Sequence, residues 1–196
     1  MADIETPNKD DRAAGHEETS IVRWLIETAL LVLLAFALAQ GIKGYVVQPF
    51  IIPTGSMQPT IELRNYVLAE KISYRFSRSP RSGDIVVFNN PTKDPSAPIL
   101  IKRCIAVGGQ TIDLRDGTVY IDGKRLDEPY TYGKPTHPLN PTIQYPFRVS
   151  EGSYWMMGDN RTNSGDSREF GPVSENEVIG HAVWTYWPVD KFGALQ

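Results

Sequence analysis

Ile99-Leu100-Ile101-Lys102-Arg103-Cys104-Ile105-Ala106-Val107 is an almost continuously apolar run broken by two adjacent cations. Its β-branched and aliphatic residues suit a pleated strand. Side chains alternate between the two faces of a strand, so Leu100, Lys102, Cys104 and Ala106 share one face and Ile101, Arg103, Ile105 and Val107 the other. One cation on each face of an otherwise apolar strand is unusual, because such side chains are rarely buried without a partner or a task. Burial disfavours the ammonium form and lowers a lysine pKa, and a neutral amine near pH 7–8 is a competent general base. The plainer reading is a lysine at the strand edge whose head reaches solvent.

The neighbouring chain has the same character. Tyr66–Ala69, Asp84–Phe88, Tyr154–Met157 and Val178–Trp187 are rich in β-branched and aromatic residues and read as strands. Asp116-Gly117 and Asp122-Gly123 are hairpin turn signals on either side of Thr118-Val119-Tyr120-Ile121. Sixteen glycines and 15 prolines punctuate the chain, which favours many short strands over long helices. Pro129, Pro135, Pro138, Pro141 and Pro146 mark residues 129–146 as an irregular surface loop. The expected fold is mainly β, a curled antiparallel domain over residues 47–196.

Ahead of that domain, Ala29 to Ala39 contains no polar residue. Taken as residues 21–46, the segment exceeds the ~20 residues that span a bilayer. Arg23 and Lys43 lie near its ends, where they can snorkel, and Glu27 lies one turn inside. A transmembrane anchor is the preferred reading. A cleavable signal peptide ending at Ala37-Leu38-Ala39 competes with it, but the preceding segment is long and acid-rich rather than short and basic. A buried soluble helix is the third reading, and nothing else in the chain is apolar enough to cover it on all sides. Residues 1–20, with Asp3, Glu5, Asp10, Asp11, Glu17 and Glu18 and no apolar cluster, are expected to be a disordered tail. Lys and Arg near the two ends of the span do not decide its orientation.

A few residues past the span stands Phe50-Ile51-Ile52-Pro53-Thr54-Gly55-Ser56-Met57-Gln58-Pro59-Thr60. Pro49, Pro53 and Pro59 exclude helix here, so Ser56 is carried on extended or turning chain as a candidate nucleophile at a membrane surface. Later comes Gly158-Asp159-Asn160-Arg161-Thr162-Asn163-Ser164-Gly165-Asp166-Ser167-Arg168, dense in carboxylates, guanidiniums, amides and hydroxyls, directly after an apolar strand. Short Asn, Asp and Ser side chains bond neighbouring backbone and hold tight loops. Asp166 and Arg168 are close enough in sequence to pair.

Other chemistries find no support. A net charge of −3 without a basic block argues against nucleic-acid binding. The single cysteine, Cys104, excludes an intramolecular disulfide and thiolate metal sites. His16, His137 and His181 are scattered and show no metal-ligand spacing; they read as ordinary structural residues.

Taken together, these motifs resemble those of the type I signal peptidases, membrane-anchored Ser-Lys proteases that remove signal peptides from exported proteins. Pro53 to Thr60 is similar to the family's nucleophile box, Gly83 to Phe88 to the following strand box and Ile101-Lys102-Arg103 to the general-base box. Gly158 to Arg168 is similar to the last box, with Gly171-Pro172-Val173 after it. The resemblance implies Ser56 as nucleophile, Lys102 as general base, and Thr54 with the Ser56 N–H as oxyanion hole. It further implies Ser164 as the hydroxyl that orients the lysine, Asp166 and Arg168 as a supporting ion pair, and Asp159 as a residue that holds the loop. It implies no metal or cofactor. The implied partners are preproteins emerging from the secretion machinery and the lipid bilayer, with no nucleic acid. The catalytic domain is expected on the extracytoplasmic face of a plasma or other energy-transducing membrane, with a single span.

Three departures concern loops. Val107-Gly108-Gly109-Gln110 replaces a Pro-Gly-Asp turn, Phe170 stands where Trp or Tyr is common, and the segment before the last box is compact. Two other classes share part of this pattern. A self-cleaving Ser-Lys repressor is disfavoured by the span, and a non-catalytic membrane assembly protein by the intact Ser56 and Lys102.

Overall fold

The computed structural model of the chain describes residues 9–195, with side chains from residue 21 onward. It divides into two compact units, one ending at Gly44 and one beginning at Tyr45.

The described residues of the first unit belong to one helix, α1 (Lys9–Tyr45), which ends on the first residue of the second unit. No proline interrupts the chain between Pro7 and Pro49, so the backbone ladder can run unbroken. Within it, Ile21–Tyr45 is long and apolar enough to cross a membrane. Leu31, Leu34 and Phe36 are each more than 60% exposed. Arg23 donates to Glu27 at 2.8 Å, one turn apart, which pairs the acid near the end of the span. The expected disordered tail fares differently in its two parts: residues 1–8 lie outside the described residues, whereas the chain is helical from Lys9 on.

The second unit is β. Its strands are β1 (Val47–Ile51), β2 (Tyr66–Glu70), β3 (Ile85–Asn89), β4 (Ile99–Val107), β5 (Thr111–Arg115) and β6 (Thr118–Ile121). They continue as β7 (Lys124–Arg125), β8 (Phe147–Arg148), β9 (Ser153–Met157), β10 (Val173–Ser174), β11 (Val178–Trp187) and β12 (Gly193–Ala194). The larger sheet runs β1-β2-β11-β3-β4-β9-β10, with β12 pairing β11; the smaller runs β7-β6-β5-β8. Neighbouring strands pair antiparallel throughout. Register shifts in β11 and between Cys104 and Ala106 mark bulges, which bend strands and curl the larger sheet. Strand β1 was expected only as extended chain; it is the outer strand of the sheet, where Pro49 is tolerated because it has no ladder donor to lose.

The tight turns follow their residues. Asp116-Gly117 and Asp122-Gly123 have positive φ at both positions (49° and 76°, 49° and 78°), the geometry that matches the twist of a two-residue hairpin. Gly109 (φ 85°) makes the turn between β4 and β5. A side chain on Gly108 would meet the backbone of Glu151 at 2.9 Å.

Three buried clusters hold the unit. One gathers Ile52, Met57, Ile61, Val67, Ile85 and Val87. Another packs Ile105, Ile112, Val119 and Val149 around Trp155 between the two sheets. The third joins Val86, Phe88, Cys104, Tyr154 and Met156 on the opposite face. The proline-rich segment 129–146 is more than a surface loop. Pro129–Thr131 form a 3-10 turn, Thr131 and Thr136 are buried, and Asn140 bonds the backbone carbonyls of Arg168 and Glu169.

Candidate active site

Between β1 and β2 the chain turns back on itself. The Ile52 N–H donates to Asn65 O at 3.0 Å and the Arg64 N–H to Ile52 O at 2.8 Å, closing the loop at its base. Ile52, Met57 and Ile61 are buried in the first cluster and pin the loop to the core. Ser56 sits in the turn between these anchors and is itself 8% exposed. The Thr54 Oγ1 lies 3.3 Å from the Ser56 Oγ. A loop with three core anchors and a closed base can hold a polar side chain in one place without help from regular structure.

Strand β4 supplies the lysine. Lys102 is 3% exposed, and its Nζ donates to Ser56 Oγ at 2.6 Å. The reading of a strand-edge lysine reaching solvent is therefore overturned. Burial pulls the Lys102 ammonium down to about 8, against the opposing attraction of Asp166. An amine so placed loses its proton at far lower pH than one in water.

The loop after β9 closes over this pair. Asp166 caps the short helix α2 (Ser167–Phe170), accepting from the Arg168 N–H at 3.2 Å. It also takes Arg168 Nε and Nη2 on its two oxygens, each at 2.8 Å, and the Gly158 N–H at 3.1 Å. Asp159 faces the other way. Arg103 donates to both of its oxygens, at 2.9 and 2.7 Å, and Thr60 donates to one at 2.5 Å. All four charged residues are essentially inaccessible. Two-point guanidinium–carboxylate pairing satisfies several donors at once, and that is what makes such burial tolerable.

Thus Thr54, Ser56 and Lys102 meet directly, and Asp159, Asp166 and Arg168 sit in the loop that backs them. Ser164 lines the same cleft as Ser56 and Lys102, but no bond joins it to the lysine; its buried Oγ has no hydrogen-bond partner among the described residues. Gly158 is the closest approach: a Cβ there would stand 2.4 Å from Ser56 O and 2.3 Å from Ser164 Oγ. Residues not foreseen also belong here. Asn160 bonds Gly55 and Ser56. Arg161 bonds Glu128 and, within the proline-rich segment, Thr136. The cation at Arg103 signalled that a carboxylate was needed, but nothing along the chain said which.

Two clefts open beside the pair. One, of about 220 Å³, is mostly apolar and lined by Phe50, Ile52, Met57, Pro98, Ile101 and Lys102. The other, of about 350 Å³, is bounded by Thr54, Asn90, Asp94, Lys102, Ser164 and Phe170. A buried hydroxyl bonded to a buried lysine amine, between two clefts, is suited to nucleophilic attack on a bound acyl group.

A family model described as signal peptidase, peptidase S26, matches residues 25–187. A protein named signal peptidase I from Leptolyngbya laminosa is 38% identical over 177 residues, covering 87% of this chain and 84% of that one. A Synechocystis protein named probable signal peptidase I-1 is 36% identical over 178 residues, 88% of each chain. Signal peptidase I of Mycobacterium tuberculosis is 31% identical, covering 95% of this chain and 81% of that one; the alignment runs to 242 positions, so that relative carries insertions this chain lacks. The chain belongs to the signal peptidase family, peptidase S26, and is a serine endopeptidase.

Proposed function

We propose that the protein removes N-terminal signal peptides from exported preproteins, cutting at Ala-x-Ala-type sites at the membrane surface with Ser56 and Lys102 as its dyad. The observation that carries this reading is the 2.6 Å contact between Lys102 Nζ and Ser56 Oγ, with both groups buried. Neutral Lys102 takes the Ser56 proton as Oγ attacks the scissile carbonyl. The oxyanion accepts from Thr54 Oγ1 and the Ser56 N–H, whose value lies in being oriented before charge develops. The lysine ammonium then protonates the departing amine, leaving an ester on Ser56. In the second half Lys102 deprotonates a water, which attacks the ester; the Lys102 ammonium passes that proton to the departing Ser56 Oγ, and the signal peptide leaves with a free carboxylate.

The substrate adds as an extended strand along residues 50–54 and 98–102, its small side chains entering the apolar cleft. We assign Ser164, whose buried hydroxyl borders the same cleft, to hold the lysine, and the Asp166–Arg168 and Asp159–Arg103 pairs to hold the loop that carries it. The reaction draws on no metal or cofactor. Residues 21–46 are assigned as a single-pass anchor in the plasma or another energy-transducing membrane. Residues 47–196 form the catalytic domain on the extracytoplasmic face, where preproteins leave the secretion machinery. Incubation with a synthetic Ala-x-Ala peptide tests the assignment: cleavage after the second alanine, lost in Ser56→Ala and Lys102→Arg, is the expected result. Full cleavage by either variant refutes it.

A further inference from the structure

The Gly55–Ser56 peptide has two ends. One is the Ser56 N–H, assigned above to the oxyanion; the other is the Gly55 carbonyl. Asn160 Nδ2 donates to that carbonyl at 2.9 Å, and the Asn160 backbone N–H donates to Ser56 O at 3.0 Å. Two consecutive peptide planes around the nucleophile are therefore held by one residue, which is 6% exposed. The approach is possible because Gly158 has no side chain to strike Ser56 O. Behind Asn160 stands a cation: Lys134 Nζ donates to Asn160 Oδ1 at 2.8 Å. Lys134 belongs to the proline-rich segment, whose hold on this loop is reinforced by Arg161 on Thr136 Oγ1 at 2.8 Å.

These bonds form one line. The positive charge of Lys134 beside the Asn160 amide oxygen draws electron density from the Asn160 Nδ2–H, making it a better donor to Gly55 O. That bond in turn draws density from the Ser56 N–H. Each hydrogen bond in a chain strengthens the next, and two amide groups here transmit the effect from Lys134 to the place where negative charge would develop. Resting on the dyad reading above, we propose that Lys134 and Asn160 are positioning residues that aim and polarise the Ser56 N–H toward the oxyanion. Because the gain appears as charge develops, it belongs to the transition state and not to substrate binding.

The full-length protein in detergent, a cleavable Ala-x-Ala peptide and a peptide aldehyde that forms a tetrahedral adduct on Ser56 make the test. Lys134→Met keeps the aliphatic stem and removes the charge. It should lower kcat about five-fold, leave KM within about two-fold, and weaken aldehyde binding by the same factor as kcat. Lys134→Arg should recover most of kcat. Asn160→Asp replaces the donor to Gly55 O with a carboxylate oxygen and should cost about 100-fold in kcat. A merely structural role predicts instead a lowered unfolding midpoint, with kcat per folded molecule unchanged. That outcome, or a Lys134→Met enzyme with wild-type kcat and aldehyde affinity, overturns the proposal. Loss of the relay effect while Ser56→Ala remains inactive sinks the relay alone. A wild-type enzyme whose cleavage does not depend on Ser56 sinks the dyad reading beneath it.

Discussion

On one face of β4 the Arg103 guanidinium lies against both oxygens of Asp159 and over the ring of Tyr130, with its carbon 4.0 Å from the ring centroid. On the other face Lys102 is equally buried, but its bonded partner is a hydroxyl. The two residues are neighbours in sequence, and their surroundings give them opposite character. A fully matched charge is a fixed structural element, costly to break because the survivor would be stranded. A charge buried without a bonded counter-charge sheds its proton easily, which makes it a base and also a liability to the fold. On the proposed mechanism the same strand therefore carries a structural cation and a chemical one, and the carboxylates around it decide which is which.

The largest effect should come from the chemical side. Ser56→Ala, Lys102→Ala and Lys102→Arg should each reduce peptide cleavage by about 10⁴-fold or more, since arginine stays charged and cannot take a proton. Circular dichroism should show the fold retained in the first two. A turnover within ten-fold of wild type in Lys102→Arg would dissolve the distinction between the two cations.

The structural side should break differently. Arg103→Met strands Asp159 and should cost about 3–5 kcal/mol, lowering the unfolding midpoint by about 10 °C. A midpoint within a few degrees of wild type would mean that the pair is not what holds the loop.

Thr54→Val tests the charge that, on the proposed mechanism, Lys102 helps create. Removing one oxyanion donor costs about 10²–10³ in kcat, with KM little changed, while Thr54→Ser should keep most activity. If the two substitutions behave alike in steady-state kinetics, Thr54 only supports the turn.

The smallest effects separate the cations by sign. Lys102→Met should raise stability at pH 7, by roughly 1–3 kcal/mol, where Arg103→Met lowers it. The Lys102 pKa falls in the folded state from 10.5 to about 8, so between these values the unfolded chain binds more protons than the folded one. Wild-type stability should therefore rise with pH across that window, and the advantage of Lys102→Met should shrink there. The same group read through catalysis gives kcat/KM rising about ten-fold per pH unit below 8 and levelling above it. An activity profile flat from pH 5 to 9 would contradict a titrating lysine.

Much of this molecule was readable along the chain. Strand β4 and strand β11 have the limits their composition indicates, and the Asp-Gly pairs turn as their conformational freedom dictates. These are local properties, set by steric preference and side-chain alternation within a few residues. Strand β1 was less legible, because Pro49 argues against a strand unless it lies at an edge, and edges are defined by the whole sheet. The start of α1 at Lys9 is not legible in the sequence, because charge and low hydrophobicity point to disorder there. The absence of proline between Pro7 and Pro49 permits a continuous ladder instead.

The sequence by itself determined a β unit, an apolar helix long enough to cross a membrane, and three segments carrying Thr54 and Ser56, Lys102, and Asp159 to Arg168 as candidates for one site. Only the tertiary structure decided the distances that matter: 2.6 Å from Lys102 to Ser56, the choice of Asp159 for Arg103, and the path from Lys134 through Asn160 to Gly55. The physical reason is that spacing along a strand specifies which face a side chain occupies. Which charge it meets there depends on chain folded back from 46 residues away for Ser56 and Lys102, and 105 for Gly55 and Asn160. Whether a buried cation becomes a strut or a base is thus settled by packing, after the sequence has placed it.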